Sequence, residues 1–106
     1  MGNVYIVEGA RTAFTSFGGS LSNVDAVELG TVTAIEALKR SNVSPDHVEH
    51  VIYGGVITTG VNSAYLARHI GLKAGVPQEV PALTLNRLCG SGMQSIITAA
   101  QHILLG

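Results

Sequence analysis

Residues 81–105 have the sequence Pro-Ala-Leu-Thr-Leu-Asn-Arg-Leu-Cys-Gly-Ser-Gly-Met-Gln-Ser-Ile-Ile-Thr-Ala-Ala-Gln-His-Ile-Leu-Leu. This stretch predicts a strand over residues 81–86, a tight turn, and a helix from Gly90 to Leu105. Steps of three, four and seven residues place the apolar side chains of the helix on one face, namely Met93, Ile96, Ile97, Ala100, Ile103 and Leu104. A buried strand that leads directly into an amphipathic helix is typical of α/β folds.

Strands and helices also alternate before this stretch. The apolar pattern predicts four earlier elements in the order strand 4–8, helix 25–40, strand 50–57, helix 63–74. Asp25 can cap the first helix, and Gly75 ends the second. Between them, Ser44 can cap a single turn that begins at Pro45.

The predicted strands are near-continuous apolar runs, as from Val4 to Val7 and from Val51 to Tyr53. Such runs fit strands that are buried on both faces of a parallel sheet. The order β-α-β-α-β-α therefore predicts an α/β fold with right-handed crossovers. Three strands are few for such a sheet, so we expect the sheet to continue in residues outside this chain.

The composition indicates that part of the surface is covered. The chain has 106 residues, a net charge of −1, 46% hydrophobic residues and only 12% charged residues, whereas soluble domains carry about 25% charged residues. We expect a partner subunit or additional chain to bury the excess apolar surface; a small Gly-rich domain with a Ser/Thr surface is the alternative. The near-neutral charge gives no indication of a nucleic-acid or membrane partner.

The sequence predicts a protein of a reducing compartment, most simply the cytoplasm. Its N-terminus lacks the basic and long apolar regions of a signal peptide. The longest apolar runs fall short of the roughly 18 residues that span a bilayer. The single cysteine, Cys89, cannot form an internal disulfide.

Cys89 lies at the junction of a predicted strand and a predicted helix. The free N–H groups and the dipole of the helix favour a thiolate there, which is the nucleophilic form of cysteine. Gly90 and Gly92 would let a carbonyl or thioester approach the turn closely. The alternative is a buried cysteine that only packs.

Other chemistries are not favoured by the sequence. Gly90 to Gly92 lacks the Gly-Lys-Ser/Thr of a phosphate loop and the flanks of a serine nucleophile elbow, so Ser91 is not expected to be a nucleophile. The four histidines are His47, His50, His69 and His102. No pair of them has the spacing of metal ligands with a carboxylate or thiol nearby. None is evident as a base for Cys89.

Three segments together resemble the thiolase family. Residues 86–96 are similar to the thiolase active-site cysteine signature, residues 4–14 to the opening strand and loop of the family, and residues 63–77 to the helix before the cysteine strand. The similarity covers nearly the whole chain in the right order. It implies a layered α/β/α/β/α fold, with residues 1–106 forming the first part of the N-terminal half.

The resemblance also implies a function. In thiolases the cysteine that matches Cys89 takes an acyl group from a coenzyme A thioester, and free CoA or a second acetyl-CoA resolves the acyl-enzyme. The backbone N–H of that cysteine forms part of an oxyanion hole. No cofactor is expected, since CoA thioesters are the substrates. A homodimer or homotetramer is implied, with an interface from Ala82 to Asn86 and along the helix that begins at Gly90.

The chain is several times shorter than a thiolase, and the activating histidine and second cysteine of the family would come later. We therefore expect residues 1–106 alone to have no turnover. Acetyl-CoA C-acetyltransferase in fatty acid metabolism is the preferred function. Broad-chain 3-ketoacyl-CoA thiolase, a ketoacyl-synthase-type condensing enzyme and a non-catalytic oligomerising module remain alternatives.

Overall fold

The computed structural model describes residues 2–106. Its regular elements follow one another along the chain as helix α1 (Ala26–Ser41), strand β1 (Val51–Gly54), helix α2 (Leu66–Lys73), strand β2 (Ala82–Leu85) and helix α3 (Ser91–Leu105). Short 3-10 turns at Pro45–His47 and Ser63–Tyr65 precede β1 and α2. No helix among the described residues is long and apolar enough to cross a bilayer.

The ends of α1 confirm the predicted cap. Asp25 Oδ1 accepts a hydrogen bond from the Val27 N–H at 2.6 Å, and Val27 itself is buried. Asn42 ends the helix in the left-handed region with φ of 58°, which asparagine tolerates better than most residues. The predicted turn after α1 is also present, because Ser44 Oγ accepts from the Asp46 N–H.

The two strands pair in parallel, as the sequence predicts. Their register runs from Val51 opposite Ala82 to Gly54 opposite Leu85. Helix α2 forms the crossover between them and is held to β2 by a hydrogen bond of 3.0 Å from the Ala67 N–H to Thr84 Oγ1. Two apolar clusters form the core between the sheet, α1 and α2, with members Val27, Leu66 and Ile70 in one and Val51, Ala67 and Val76 in the other.

The prediction of a first strand over residues 4–8 is wrong for the described structure. Tyr5, Ile6 and Val7 are 74%, 81% and 71% exposed, and the segment has no regular structure. A strand needs a neighbour that satisfies its backbone N–H and C=O groups, and no other segment of residues 2–106 pairs with this one. The two strands that do form are shorter than predicted, because they pair over only four residues each.

The apolar residues predicted to share one face of α3 do lie on one side of the helix, but that side does not face the core. The side of the helix that meets β1 begins with Ser91, which is buried. The large apolar residues lie on the exposed side, with relative exposures of 65% for Met93, 50% for Ile96, 40% for Ile97, 56% for Ile103 and 43% for Leu104. Part of the expected excess of uncovered apolar surface therefore lies on α3, and another part lies on the N-terminal segment, where Phe14 is 91% exposed.

Strand β1 and the first turn of α3 pack in close contact. A Cβ atom added at Gly54 would lie 2.6 Å from the backbone C and O atoms of Ser91. Such a distance is impossible without movement, and the atoms to be moved belong to backbone. Gly54 thus determines how closely the start of α3 approaches the sheet.

We predict that Gly54→Ala lowers the free energy of unfolding by about 1–3 kcal/mol, because overpacking of this size costs that much. Urea unfolding followed by circular dichroism measures the change. Gly92→Ala is the matched control, since a Cβ at Gly92 has nothing within 4 Å, and it should not destabilise the protein. Equal stability of Gly54→Ala and wild type would contradict the close packing.

The imidazoles of His50 and His102 contact each other edge to face, with ring centroids 4.6 Å apart. Burial lowers the pKa of His50 from its ordinary value of 6.5, and the charge of His102 lowers it further. Protonation of His50 is therefore less favourable in the folded than in the unfolded chain. The part of the stability that depends on neutral His50 is therefore fully present above pH 6.5 and is lost progressively as the pH falls below it.

The melting temperature should fall between about pH 8 and about pH 5.5, and part of that fall should disappear in His50→Gln. His69→Gln is the control, because His69 lies beside Tyr65, away from this pair. Identical pH profiles for wild type and His50→Gln would contradict the prediction.

Candidate active site

The turn between β2 and α3 is closed by backbone hydrogen bonds. The Gly90 N–H donates to the Arg87 carbonyl and the Ser91 N–H donates to the Leu88 carbonyl, each at 3.0 Å. Leu88 lies in the left-handed region with φ of 48°, a conformation that residues with a Cβ seldom adopt. The chain therefore reverses sharply just before Cys89 and enters α3 at Ser91.

Asn86 fixes the start of this turn. Its Oδ1 accepts a hydrogen bond of 2.9 Å from the Leu88 N–H, and its Nδ2 donates to the Val56 carbonyl at 3.2 Å. The first contact is a local turn of the kind that asparagine side chains form with the backbone two residues on. The second contact ties the turn to the segment that follows β1.

Ser91 fixes the end of the turn. Its Oγ accepts a hydrogen bond from the Arg87 N–H at 2.8 Å and donates one to the Leu88 carbonyl at 2.6 Å. Sequence reasoning did not identify these roles of Asn86 and Ser91. An asparagine two residues before Leu88 and a serine three residues after it are the signals that could have indicated a side-chain-closed turn.

Cys89 lies where the sequence places it, directly before the helix. Its thiol is free and exposed, so within the described chain it is not the buried packing residue of the alternative interpretation. Among residues 2–106, the hydrogen bonds of the turn are donated by the N–H groups of Arg87, Leu88, Gly90 and Ser91, and none is donated by the Cys89 N–H, although Cys89 and Arg87 form an isolated bridge. An accessible sulfur and a free amide thus lie on the same residue at the N-terminus of α3.

The two glycines beside Cys89 differ in what surrounds them. A Cβ at Gly90 would lie 3.5 Å from the Arg87 carbonyl oxygen, which is ordinary contact, and a Cβ at Gly92 would meet nothing within 4 Å. Packing within the described residues therefore requires neither glycine. The predicted close approach of a ligand stays a prediction for both.

The structure does not gather the histidines around Cys89. His50 and His102 contact each other near the start of β1 and the end of α3. His69 lies edge to face with Tyr65, at a centroid distance of 6.4 Å, and His47 belongs to the turn before β1. In the part of the chain that the structure describes, no three residues of the types His, Cys, Asp and Glu are grouped so as to hold a metal ion.

Residues 4–106 match the family model described as thiolase, N-terminal domain. The chain is 52% identical over 103 residues to beta-ketothiolase BktB of Cupriavidus necator, covering 97% of this chain and 26% of that protein. It is 50% identical over 95 residues to an acetyl-CoA acetyltransferase of Clostridioides difficile, covering 90% of this chain and 88% of that relative.

Solved structures agree with the sequence comparisons. The fold is similar to human mitochondrial 3-ketoacyl-CoA thiolase, with a TM-score of 0.91 and 46% identity over 93% of this chain and 25% of that one. It is also similar to the Bacillus anthracis acetyl-CoA acetyltransferase, with a TM-score of 0.87 and 42% identity over 95% of this chain and 25% of that chain.

The chain spans about a quarter of the length of beta-ketothiolase BktB and of the solved human thiolase. Within that quarter the match runs from the opening segment through the turn that holds Cys89 to the end of α3. These comparisons confirm the family and the α/β fold expected from the sequence: the chain belongs to the thiolase family, and residues 4–106 match the model of its N-terminal domain.

Proposed function

We propose that the protein to which these residues belong is an acyltransferase of the thiolase type, with Cys89 as its nucleophile. The observation that supports this most directly is the exposed, free thiol of Cys89 at the N-terminus of α3. A thiolate at that position is favoured by the dipole of the helix. The relatives named acetyl-CoA acetyltransferase and 3-ketoacyl-CoA thiolase support the same reaction class.

In the proposed reaction, the Cys89 sulfur attacks the carbonyl carbon of an acyl-CoA thioester. The bond between that carbon and the CoA sulfur breaks, and CoA leaves as a thiol after it takes up the proton that Cys89 lost. An acyl-cysteine remains, and a second thiol or acetyl-CoA carbanion receives the acyl group. The resemblance to thiolases implies that a histidine and a second cysteine outside these residues move the protons.

The free N–H of Cys89 is proposed as one donor to the carbonyl oxygen as that oxygen becomes negative. Such a donor costs no reorganisation when it is already free and fixed, and loss of one oxyanion donor costs about 10²–10³ in rate in other enzymes. The N–H of Cys89 has no acceptor among the hydrogen bonds of the described residues, so it is free to donate. The hydrogen bonds that Asn86 and Ser91 form with the turn support the second requirement, that the N–H is fixed in place.

Acetyl-CoA C-acetyltransferase is the preferred specific function, in the cytoplasm and in fatty acid metabolism. Broad-chain 3-ketoacyl-CoA thiolase is the alternative, because relatives at similar identity carry both names. A solved structure of the human 3-ketoacyl-CoA thiolase holds CoA, which supports a CoA thioester as the substrate here.

Incubation of the intact natural polypeptide with acetyl-CoA should place one acetyl group on the peptide that contains Cys89, as mass spectrometry of the digest will show. Cys89→Ala should abolish this adduct and turnover, because alanine offers no nucleophile. Ser95→Ala, which removes a hydroxyl that bonds the Gly92 carbonyl on the same helix, should retain both. Acetyl-loaded acyl carrier protein as the donor separates a thiolase from a ketoacyl-synthase-type enzyme.

An unmodified Cys89 peptide together with full turnover in Cys89→Ala would contradict the proposed function. Acylation from the acyl carrier protein and not from acetyl-CoA would instead favour the condensing-enzyme alternative.

We also propose that the protein assembles as a homodimer or homotetramer through the region from Ala82 to Asn86 and the helix that begins at Gly90. The exposed apolar side of α3 supports this proposal, with Met93 and Ile103 more than half exposed. Leu83 of β2 adds further apolar surface at 37% exposure. A monomer would leave this surface in water, which is unfavourable in proportion to its area.

Light scattering should therefore give a dimer or larger species at micromolar concentration. Ile97→Glu should raise the dissociation constant at least about tenfold, since burying an unpaired charge costs several kcal/mol. Gln78→Glu makes the same charge change at an exposed loop position and should leave assembly unchanged. A monomeric wild type, or equal assembly of both variants, would count against this interface.

A further inference from the structure

Ser91 is the buried polar residue of the described chain, at 3% exposure. It is the first residue of α3. A serine in the first turn of a helix usually faces solvent, and a serine just before the first turn usually caps the helix. Here it points back into the turn, and the helix has no side-chain cap at Gly90. Burial of a hydroxyl is costly unless it is hydrogen-bonded, and this hydroxyl both donates and accepts.

The Ser91 hydroxyl forms hydrogen bonds with two backbone groups of the turn, the Arg87 N–H and the Leu88 C=O. The Arg87 N–H and the Leu88 C=O come just after β2 ends at Leu85, so β1 no longer pairs with them. One hydroxyl supplies an acceptor to the first at 2.8 Å and a donor to the second at 2.6 Å. Cys89 follows immediately.

Leu88 requires this support. Its φ of 48° is unfavourable for a leucine, and conformations of this kind persist only where several neighbouring contacts determine them together. Asn86 binds the Leu88 N–H from one side and Ser91 binds its C=O from the other. Rotation of Leu88 to a more usual φ would turn the N–H and the side chain of Cys89 away from their present directions.

Ser95 provides an internal comparison on the same helix. Its Oγ donates to the carbonyl three residues back, that of Gly92, at 2.7 Å, just as Ser91 Oγ donates to Leu88. Ser95, however, accepts no bond from the turn, and its hydrogen bond is exposed. The two serines therefore share one local bond and differ in whether the hydroxyl also holds the Arg87 N–H.

We propose that Ser91 is a positioning residue for the acyl transfer: by bridging the Arg87 N–H and the Leu88 C=O, its hydroxyl keeps Leu88 left-handed and so aligns the sulfur and the N–H of Cys89 on one thioester carbonyl. This inference rests on the proposed function. Ser91 is buried at 3% exposure, so its side chain is not open to a substrate. Its contribution is to the alignment of Cys89. This alignment affects the rate of attack on a thioester carbonyl strongly, because the sulfur and the N–H must meet the same group. It affects the rate of attack on a small alkyl halide much less, because such a reagent can approach the sulfur from many directions.

The test compares two reactions of Cys89 in the intact natural polypeptide, each followed by mass spectrometry of the Cys89 peptide. Ser91→Ala should lower the rate of acetylation at saturating acetyl-CoA by about 10- to 100-fold, the size expected for a misplaced nucleophile. Its half-saturating acetyl-CoA concentration and its rate of alkylation by iodoacetamide should each change by less than about threefold. Ser95→Ala should match wild type in both reactions.

Ser91→Thr should recover acetylation to within about threefold of wild type, because a threonine hydroxyl in a helix can bond the carbonyl three residues back. Acetylation of Ser91→Ala at the wild-type rate, or an equal fall in acetylation and alkylation, would overturn the inference. If circular dichroism shows that Ser91→Ala does not fold, Ser91→Thr decides: a folded Ser91→Thr that has lost acetylation overturns the inference, and one that retains acetylation supports it. A wild type that takes up no acetyl group overturns the proposed function itself, and this inference with it.

Discussion

The hydroxyl of Ser91 joins the two sides of the turn between the second strand and the third helix. It accepts a bond from the Arg87 N–H and donates one to the Leu88 carbonyl. Through these bonds a leucine keeps a left-handed conformation, and the thiol of Cys89 is exposed where the helix begins. The arrangement of the candidate site depends on this buried hydroxyl more than on any contact of the cysteine itself.

The sheet makes that turn possible. Parallel pairing places the carboxyl ends of β1 and β2 side by side, and Gly54 opposite Leu85 is the last pair. At that edge, the absent side chain of Gly54 gives the backbone of Ser91 room to approach. Asn86 then joins the turn to the segment after β1 through the Val56 carbonyl. A small contact area between strand and helix thus determines where the nucleophile lies.

The sequence predicted the elements that depend on local signals. The Asp25 cap, the Ser44 turn, the end of α2 at Gly75 and the start of α3 follow from hydrogen bonds and backbone conformations that lie within a few residues, and the structure has each of them. The parallel pairing also followed, because near-continuous apolar runs are typical of it.

What depends on distant partners could not be predicted from the pattern. Residues 4–8 have strand composition, yet no neighbour among the described residues pairs with them. From the sequence, Ser91 is not expected to be a nucleophile, and its role in the turn depends on the φ of Leu88, which an apolar leucine in the sequence does not reveal. The pattern also could not predict that the apolar side of α3 faces outward, because periodicity shows which residues share a face of a helix and not what packs against that face.

The proposed alignment of the Cys89 sulfur and amide on one carbonyl group can be observed directly. A crystal structure of the intact protein trapped after reaction with acetyl-CoA tests it most directly. We predict a thioester between the acetyl group and Cys89 Sγ, with the acetyl oxygen about 2.7–3.1 Å from the Cys89 nitrogen. An acetyl group on another residue, or an acetyl oxygen directed away from the Cys89 N–H, would contradict the proposed alignment.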